Sequence, residues 1–208
     1  MNSMIQKEFA VIAEAFIAAE ENDCDIEDMK FCNDTAEGLS LLSAEICLCS
    51  FSNCRFIGCS FKLVHFSDVT FEGCDLSNIR FESCSFQRVI FRNCKLTGTS
   101  FSEDSLSRTS FENCSAKYSN LSRAVMTDCS ARESNFSEAS FSESKFKKTV
   151  LKDCEFTRAD FMHADLNGMD FSDCGIDGAF FQLDRLKGIT VSYEQAVSLA
   201  KLLGIKVK

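Results

Sequence analysis

The chain has 208 residues, with 31 acidic side chains against 22 Lys and Arg and a net charge of −9; that balance argues against direct binding to nucleic acid, which needs cations to neutralise phosphates. Thirteen cysteines, nine glycines and no proline exclude a proline-rich linker, and the odd cysteine count argues against a fully paired disulfide framework. No apolar run approaches the ~18 residues that a membrane span requires, so one domain with end caps and no membrane partner is expected.

From about residue 4 to residue 21, Ile5, Phe9, Ile12, Phe16 and Ile17 fall on one helical face, with Lys7, Glu14, Glu20 and Glu21 elsewhere and Ser3 placed to cap the start. The expected role is a cap over the open end of the repeat that begins near residue 31, because an exposed strand edge aggregates. Docking a partner is the alternative use of the same face. The run from Ala10 to Ala19 has the length of a signal-peptide core, but Glu14 within it and Glu8 before it argue against export, so a cytoplasmic location is expected. Residues 22–30 read as an acidic joint, with Asp23, Asp25, Glu27 and Asp28 but without the glycine and terminal Glu spacing of a calcium loop. Residues 1–30 are therefore assigned to an N-terminal helical cap.

From Phe31 to Val191 every fifth residue is apolar. These 33 positions hold 18 Phe, 8 Leu, 3 Ala, 2 Ile, 1 Met and 1 Val. A period of five fits neither helix nor alternating strand, so a turn must reset the side-chain direction every five residues. A right-angled coil of four such pentads does this, and it stacks residues twenty apart. Cys54, Cys74, Cys94, Cys114, Cys154 and Cys174 keep that spacing, with Ser134 on the remaining rung. They sit two places before the beat, where Ala124, Ala139, Ala159, Ala164 and Ala179 are also found. One apolar corner and one small corner per pentad are expected to point inward, and the other three positions to face water.

Ala159-Asp160-Phe161, Ala164-Asp165-Leu166, Ser119-Asn120-Leu121 and Ser134-Asn135-Phe136 carry a pattern of small residue, Asp or Asn, then Leu or Phe. On these motifs the chain resembles the pentapeptide-repeat proteins over about three quarters of its length. The resemblance implies an all-β fold, a right-handed quadrilateral β-helix. Here it would be a solenoid of about eight coils over residues 31–191, roughly 38 Å long at ~4.8 Å per coil, with an N-terminal capping helix and a C-terminal helix. Some members of the quinolone-resistance group carry loops projecting from the coil. No pentad here holds an insertion, so a loop-dependent activity is not expected.

Eleven of the thirteen cysteines lie on the small position, Cys32 and Cys47 being the exceptions, and they read as reduced, buried filler. Cys47, Cys49, Cys54 and Cys59 crowd into thirteen residues, but Cys49, Cys54 and Cys59 would occupy successive inner corners and Cys47 would point outward, which is no tetrahedral metal set. His65 and His163 should both face outward, roughly 24 Å apart along the rod, with no Ser or Cys nucleophile held beside either. No catalytic residue, cofactor or metal is expected.

After the rod, Ser192 and Gln195 read as a capping box, Tyr193 to Leu203 as a helix, Gly204 as its terminator and Ile205 to Lys208 as a short strand. Tyr193, Ala196, Val197, Ala200 and Leu203 share one face, and Leu199 and Leu202 form a second apolar strip. The resemblance implies that residues 192–208 join two copies end to end, giving a homodimer; a simple cap over the last coil is the alternative.

Charge is uneven. Residues 1–40 hold ten acids and two bases, 41–152 twelve and fourteen, and 153–184 eight and one. Glu133, Asp153 and Asp173, twenty apart, should form an acidic stripe on one face, with Glu155, Asp160, Asp165 and Asp170 nearby. Such acids keep a rod soluble; they also suit a surface that imitates duplex phosphates. The resemblance to the quinolone-resistance proteins then names DNA gyrase or topoisomerase IV as the partner to be bound and protected. A scaffold for another protein is the alternative.

Overall fold

The computed structural model describes residues 10–22, 24–202 and 204–207. The five-residue beat builds three-residue strands whose middle residue is buried and whose flanks face outward, as in Arg55–Ile57 and Ser60–Lys62. The beat residue therefore lies at the centre of a side and not at a corner. Side chains in a strand alternate between faces, so only the middle one of three can point into the core.

Four sides make one coil of twenty residues. Ile26 pairs with Ile46, Phe31 with Phe51, Ala36 with Phe56 and Leu41 with Phe61, all in parallel register. The same register runs to Asp170 and Thr190, giving about eight coils. The first and second sides are seven-stranded sheets. The third continues past its first strands as single bridges, such as Asp75 with Lys95, and the fourth does so through Ser100 and Asn120 before pairing again as strands at Asp160–Phe161 and Phe180–Phe181. The coil starts at Ile26–Glu27, within the stretch expected to be a joint, because Ile26 already stands on the beat five residues before Phe31.

Each corner turns on the residue two places past the beat. Every fifth residue from Asp28 to Gly168 has a positive φ, including Arg88, Arg108, Tyr118 and Lys148. Corners of one kind close with a bond from the interior small residue to the beat residue before it, as in Ala124 N–H to the Leu121 carbonyl at 3.1 Å and Ala159 N–H to the Phe156 carbonyl at 3.0 Å. At open corners the interior side chain donates across the coil interface instead: Cys74 Sγ donates to the Phe51 carbonyl at 3.2 Å and Cys114 Sγ to the Phe91 carbonyl at 3.3 Å. The thiols are thus polar links between coils as well as filler. All thirteen are free, and Cys24, on the same phase but ahead of the first strand, is exposed.

Inside, Phe31, Phe51, Phe71, Phe91 and Phe111 stack at 4.7 to 5.2 Å. Phe141, Phe161 and Phe181 form a second column at 5.0 and 5.3 Å. Between them the beat reads Ala116, Leu121, Met126 and Ala131, and the aromatic core continues through one edge-on contact, Phe111 to Phe136 at 5.8 Å.

Helix α1 (Ile12–Asn22) covers the first coil. It begins later than expected: Ala10 N–H donates to the Lys30 carbonyl at 3.0 Å, as a further rung would. The Ile12 N–H is capped by Asp34 Oδ2 at 2.7 Å. Ser3, Ile5 and Phe9 lie outside the described residues. Ile12, Phe16 and Ala19 are buried and Phe16 meets Phe61 edge-on, whereas Ile17 faces solvent.

Candidate functional site

Helix α2 (Tyr193–Leu202) closes the other end. The expected capping box is present: Ser192 N–H donates to Gln195 Oε1 at 2.7 Å, and Gln195 N–H to Ser192 Oγ at 3.3 Å. The Gln195 amide also donates to the Phe171 and Cys174 carbonyls at 2.8 and 2.6 Å, so one side chain caps the helix and the last coil together. Gly204, at φ 75°, ends the helix, with Ile205 N–H on the Ala200 carbonyl. Ile205 to Val207 form no strand. Of the expected dimer face, Leu199 packs on the core and is committed to capping, whereas Tyr193 is 79% exposed and Ala196 is exposed. Val197 and Ala200 are half-buried. Leu203 and the Leu202 side chain lie outside the described residues.

The acids are brought together differently from a single stripe. Glu133, Asp153 and Asp173 do occupy one corner row, and Glu133 and Asp153 adopt the left-handed φ of that corner. The outward residues immediately before them are Arg132 and Lys152, paired in register on the second side. Glu155 lies on the third side, Asp160 on the fourth, Asp165 on the first and Asp170 on the second. The result is a belt around all four sides. Four of its members also hold their own turns: Thr157 N–H donates to Glu155 at 3.0 Å, Met162 N–H to Asp160 at 2.8 Å, Asn167 N–H to Asp165 at 3.4 Å and Ser172 N–H to Asp170 at 2.9 Å. This second role explains why Asp or Asn so often precedes the beat.

The belt is nonetheless distinct from the middle of the rod. There, charges alternate from rung to rung and answer one another. Arg92 lies between Glu112 at 2.7 Å and Glu72 at 3.4 Å, and Arg123 between Glu103 at 2.6 Å and Glu143 at 3.6 Å. Among the described residues every ion pair falls between Asp68 and Lys148, and none of the eight acids of residues 153–184 is in one.

His65 differs from expectation. Its Nδ1 is hydrogen-bonded to Ser85 Oγ, one coil on, and Glu45 stands in register one coil before. A hydroxyl beside an imidazole is the start of a nucleophile relay, but it lies on a flat strand side whose amides are committed to the ladder, leaving no donors for an oxyanion. The 20-residue spacing of Glu45, His65 and Ser85 was the sequence signal. His163 lies at a left-handed corner, φ 61°. Among the described residues no three His, Cys, Asp or Glu converge on a metal position, and no helix is long and apolar enough to cross a membrane.

Family models describe the same repeat. One for a pentapeptide repeat region matches residues 44–121, and one for pentapeptide repeats in eight copies matches residues 105–142 and 139–174. No curated protein matches the chain. Among solved structures, a trypsin-treated form of QnrB1, a plasmid-mediated fluoroquinolone resistance protein, is 17% identical over 88% of this chain and 100% of its own, with a TM-score of 0.43. Full-length QnrB1 is 18% identical over 85% and 99%, TM-score 0.31. HetL, a pentapeptide repeat protein involved in heterocyst differentiation regulation from the cyanobacterium Nostoc sp. strain PCC 7120, is 14% identical over 88% and 97%, TM-score 0.28.

Proposed function

The chain belongs to the pentapeptide-repeat proteins, and from that premise we propose that it acts by binding rather than by catalysis, its acidic C-terminal belt imitating the phosphates of a nucleic-acid duplex. The observation that carries this is the contrast in pairing. The middle of the rod neutralises its charges in ladders, while the eight acids of residues 153–184, set against Arg158, have no ion pair among the described residues. Those 32 residues span about 8 Å of rod, so seven net charges give about one per 1.1 Å, comparable with the one per ~1.7 Å of duplex DNA. The target is then a basic groove built for DNA, with DNA gyrase or topoisomerase IV as the candidate that the family resemblance supplies. Two copies joined through the exposed Tyr193 side of α2 would double the belt.

Binding of this kind is steered over long range and weakens with salt. In a supercoiling assay with gyrase and a quinolone, the protein is expected to protect supercoiling at low salt and to lose that effect as salt rises. Supercoiling and drug inhibition unchanged at micromolar protein would contradict the proposal. The alternative, a scaffold, is favoured by the neutral, hydroxyl-rich fourth side around Ser100, Ser122 and Ser140. Reversing Asp153, Asp165 and Asp173 to Lys separates the two, because a scaffold using that side keeps its partner.

A further inference from the structure

Of the interior positions that follow the corners, one holds a carboxylate buried in the core. Asp104 is 1% exposed, with Phe101 and Leu106 on either side in its coil, Cys84 one coil before and Ala124 one coil after. Its Oδ1 accepts from the Cys84 N–H at 2.7 Å, across the coil interface. Its Oδ2 has no partner. Ser134 shows a neutral counterpart: its Oγ accepts from the Cys114 N–H at 3.0 Å, and its hydroxyl faces two carbonyls, Arg132 at 2.8 Å and Phe111, twenty-three residues back, at 3.4 Å. Thr99 donates likewise to the Leu76 carbonyl at 2.7 Å and Cys84 to the Phe61 carbonyl at 3.5 Å. The carbonyl twenty-three residues before Asp104 is that of Phe81, and only a protonated carboxyl has a hydrogen to give it.

We propose that Asp104 is a proton-dependent latch between successive coils: carrying a proton, it links the Cys84 amide to the Phe81 carbonyl as a hydroxyl does elsewhere, and on giving that proton to solvent it loosens the seam. Ionised, it would set an oxygen lone pair against a carbonyl in the dry core. Among the described residues no cation faces it. The charged groups near it are Glu82 and Glu103, and Glu103 is answered on the outside by Arg123. The other titratable neighbour, the Cys84 thiol, is pushed up to about 12 chiefly by burial. Phe101, Leu106 and Ala124 carry no titratable group. Burial, with Glu103 and Glu82 adding, raises Asp104 from 3.8 to about 7, against the Cys84 amide that lowers it. The coils it joins are also held by aromatic stacking, Phe81 on Phe101 at 5.1 Å and Phe91 on Phe111 at 5.2 Å, and the break in stacking lies one coil further, after Phe111.

A carboxyl raised in the folded state contributes stability that is full below 3.8, falls as pH rises toward about 7 and is level above it. Between those limits each opening releases one proton, so the opening constant rises about tenfold per pH unit. The test is native-state hydrogen exchange of the Cys84 and Val125 amides in the full chain from about pH 4 to about pH 8, corrected for intrinsic exchange. Asp104→Asn keeps the acceptor and supplies a permanent donor, and Asp104→Ser copies Ser134. The natural chain should show the tenfold slope and its plateau, and both variants should be flat. An equal slope in the natural chain and Asp104→Asn would overturn the latch. Should the variants not fold, carbon-13 titration of the Asp104 carboxyl in the natural chain decides alone: titration near neutrality supports it, and titration in the ordinary carboxylate range overturns it.

Discussion

Among single residues, those at the corners carry the greatest conformational demand. The left-handed region costs an L residue about 1–2 kcal/mol, yet Arg108, Tyr118 and Lys148 occupy it. Seven of the nine glycines stand on this corner phase, Gly38 and Gly58 among them, and no Val, Ile or Thr does. A β-branched side chain crowds the backbone there most. Replacing Arg108, which is exposed, with Val is therefore expected to lower stability by about 1–2 kcal/mol, and Asn to leave it unchanged or raise it; denaturant unfolding of the two variants measures this. The corner phase was legible in the sequence as an absence, which a search for the apolar beat passes over. Asp104 was equally visible, two places before Leu106 in the set that holds Cys and Ala. Its burial follows only once the small position is known to be interior at every corner.

The two helices show what an element needs from its neighbours. Solenoid ends expose the ladder groups of the outermost coil, and at each end one side chain ties helix to coil. Asp34 reaches the first amide of α1, and Gln195 reaches two carbonyls of the last coil. The capping box at Ser192 and Gln195 is local, three residues apart, and so was readable from sequence. The bonds to Phe171 and Cys174 span 24 and 21 residues and depend on where the coil delivers those carbonyls. The N-terminal helix illustrates the converse, since its periodic pattern runs through Ala10, yet Ala10 bonds to the Lys30 carbonyl and stands outside the helix. Gln195→Ala should cost about 1–3 kcal/mol by leaving two carbonyls unmet. Gln195→Glu should cost more, because a carboxylate would face the same two oxygens. Exchange protection of the final coil against that of the middle coils reads out both.

For the whole molecule, register decides which charges meet. A strict twenty-residue coil makes Arg92 and Glu112 neighbours, so pairs of this kind could be read once the coil was inferred, and the contrast between the paired middle and the bare C-terminal belt follows from it. The belt's spread was less legible, because a step of five residues moves one side around the coil and only a step of twenty stacks. Glu155, Asp160, Asp165 and Asp170 therefore each fall on a different side.

Whether this belt occupies a groove built for DNA is decided by displacement of a labelled duplex from gyrase, followed by fluorescence anisotropy as the protein is added at low and at physiological salt. The natural chain should displace the duplex competitively, about tenfold or more less effectively at the higher salt, and a variant with Asp153, Asp165 and Asp173 changed to Asn should fail to do so while keeping its fold. Duplex that stays bound at saturating protein, or equal displacement by the neutralised variant, would contradict the proposed mimicry.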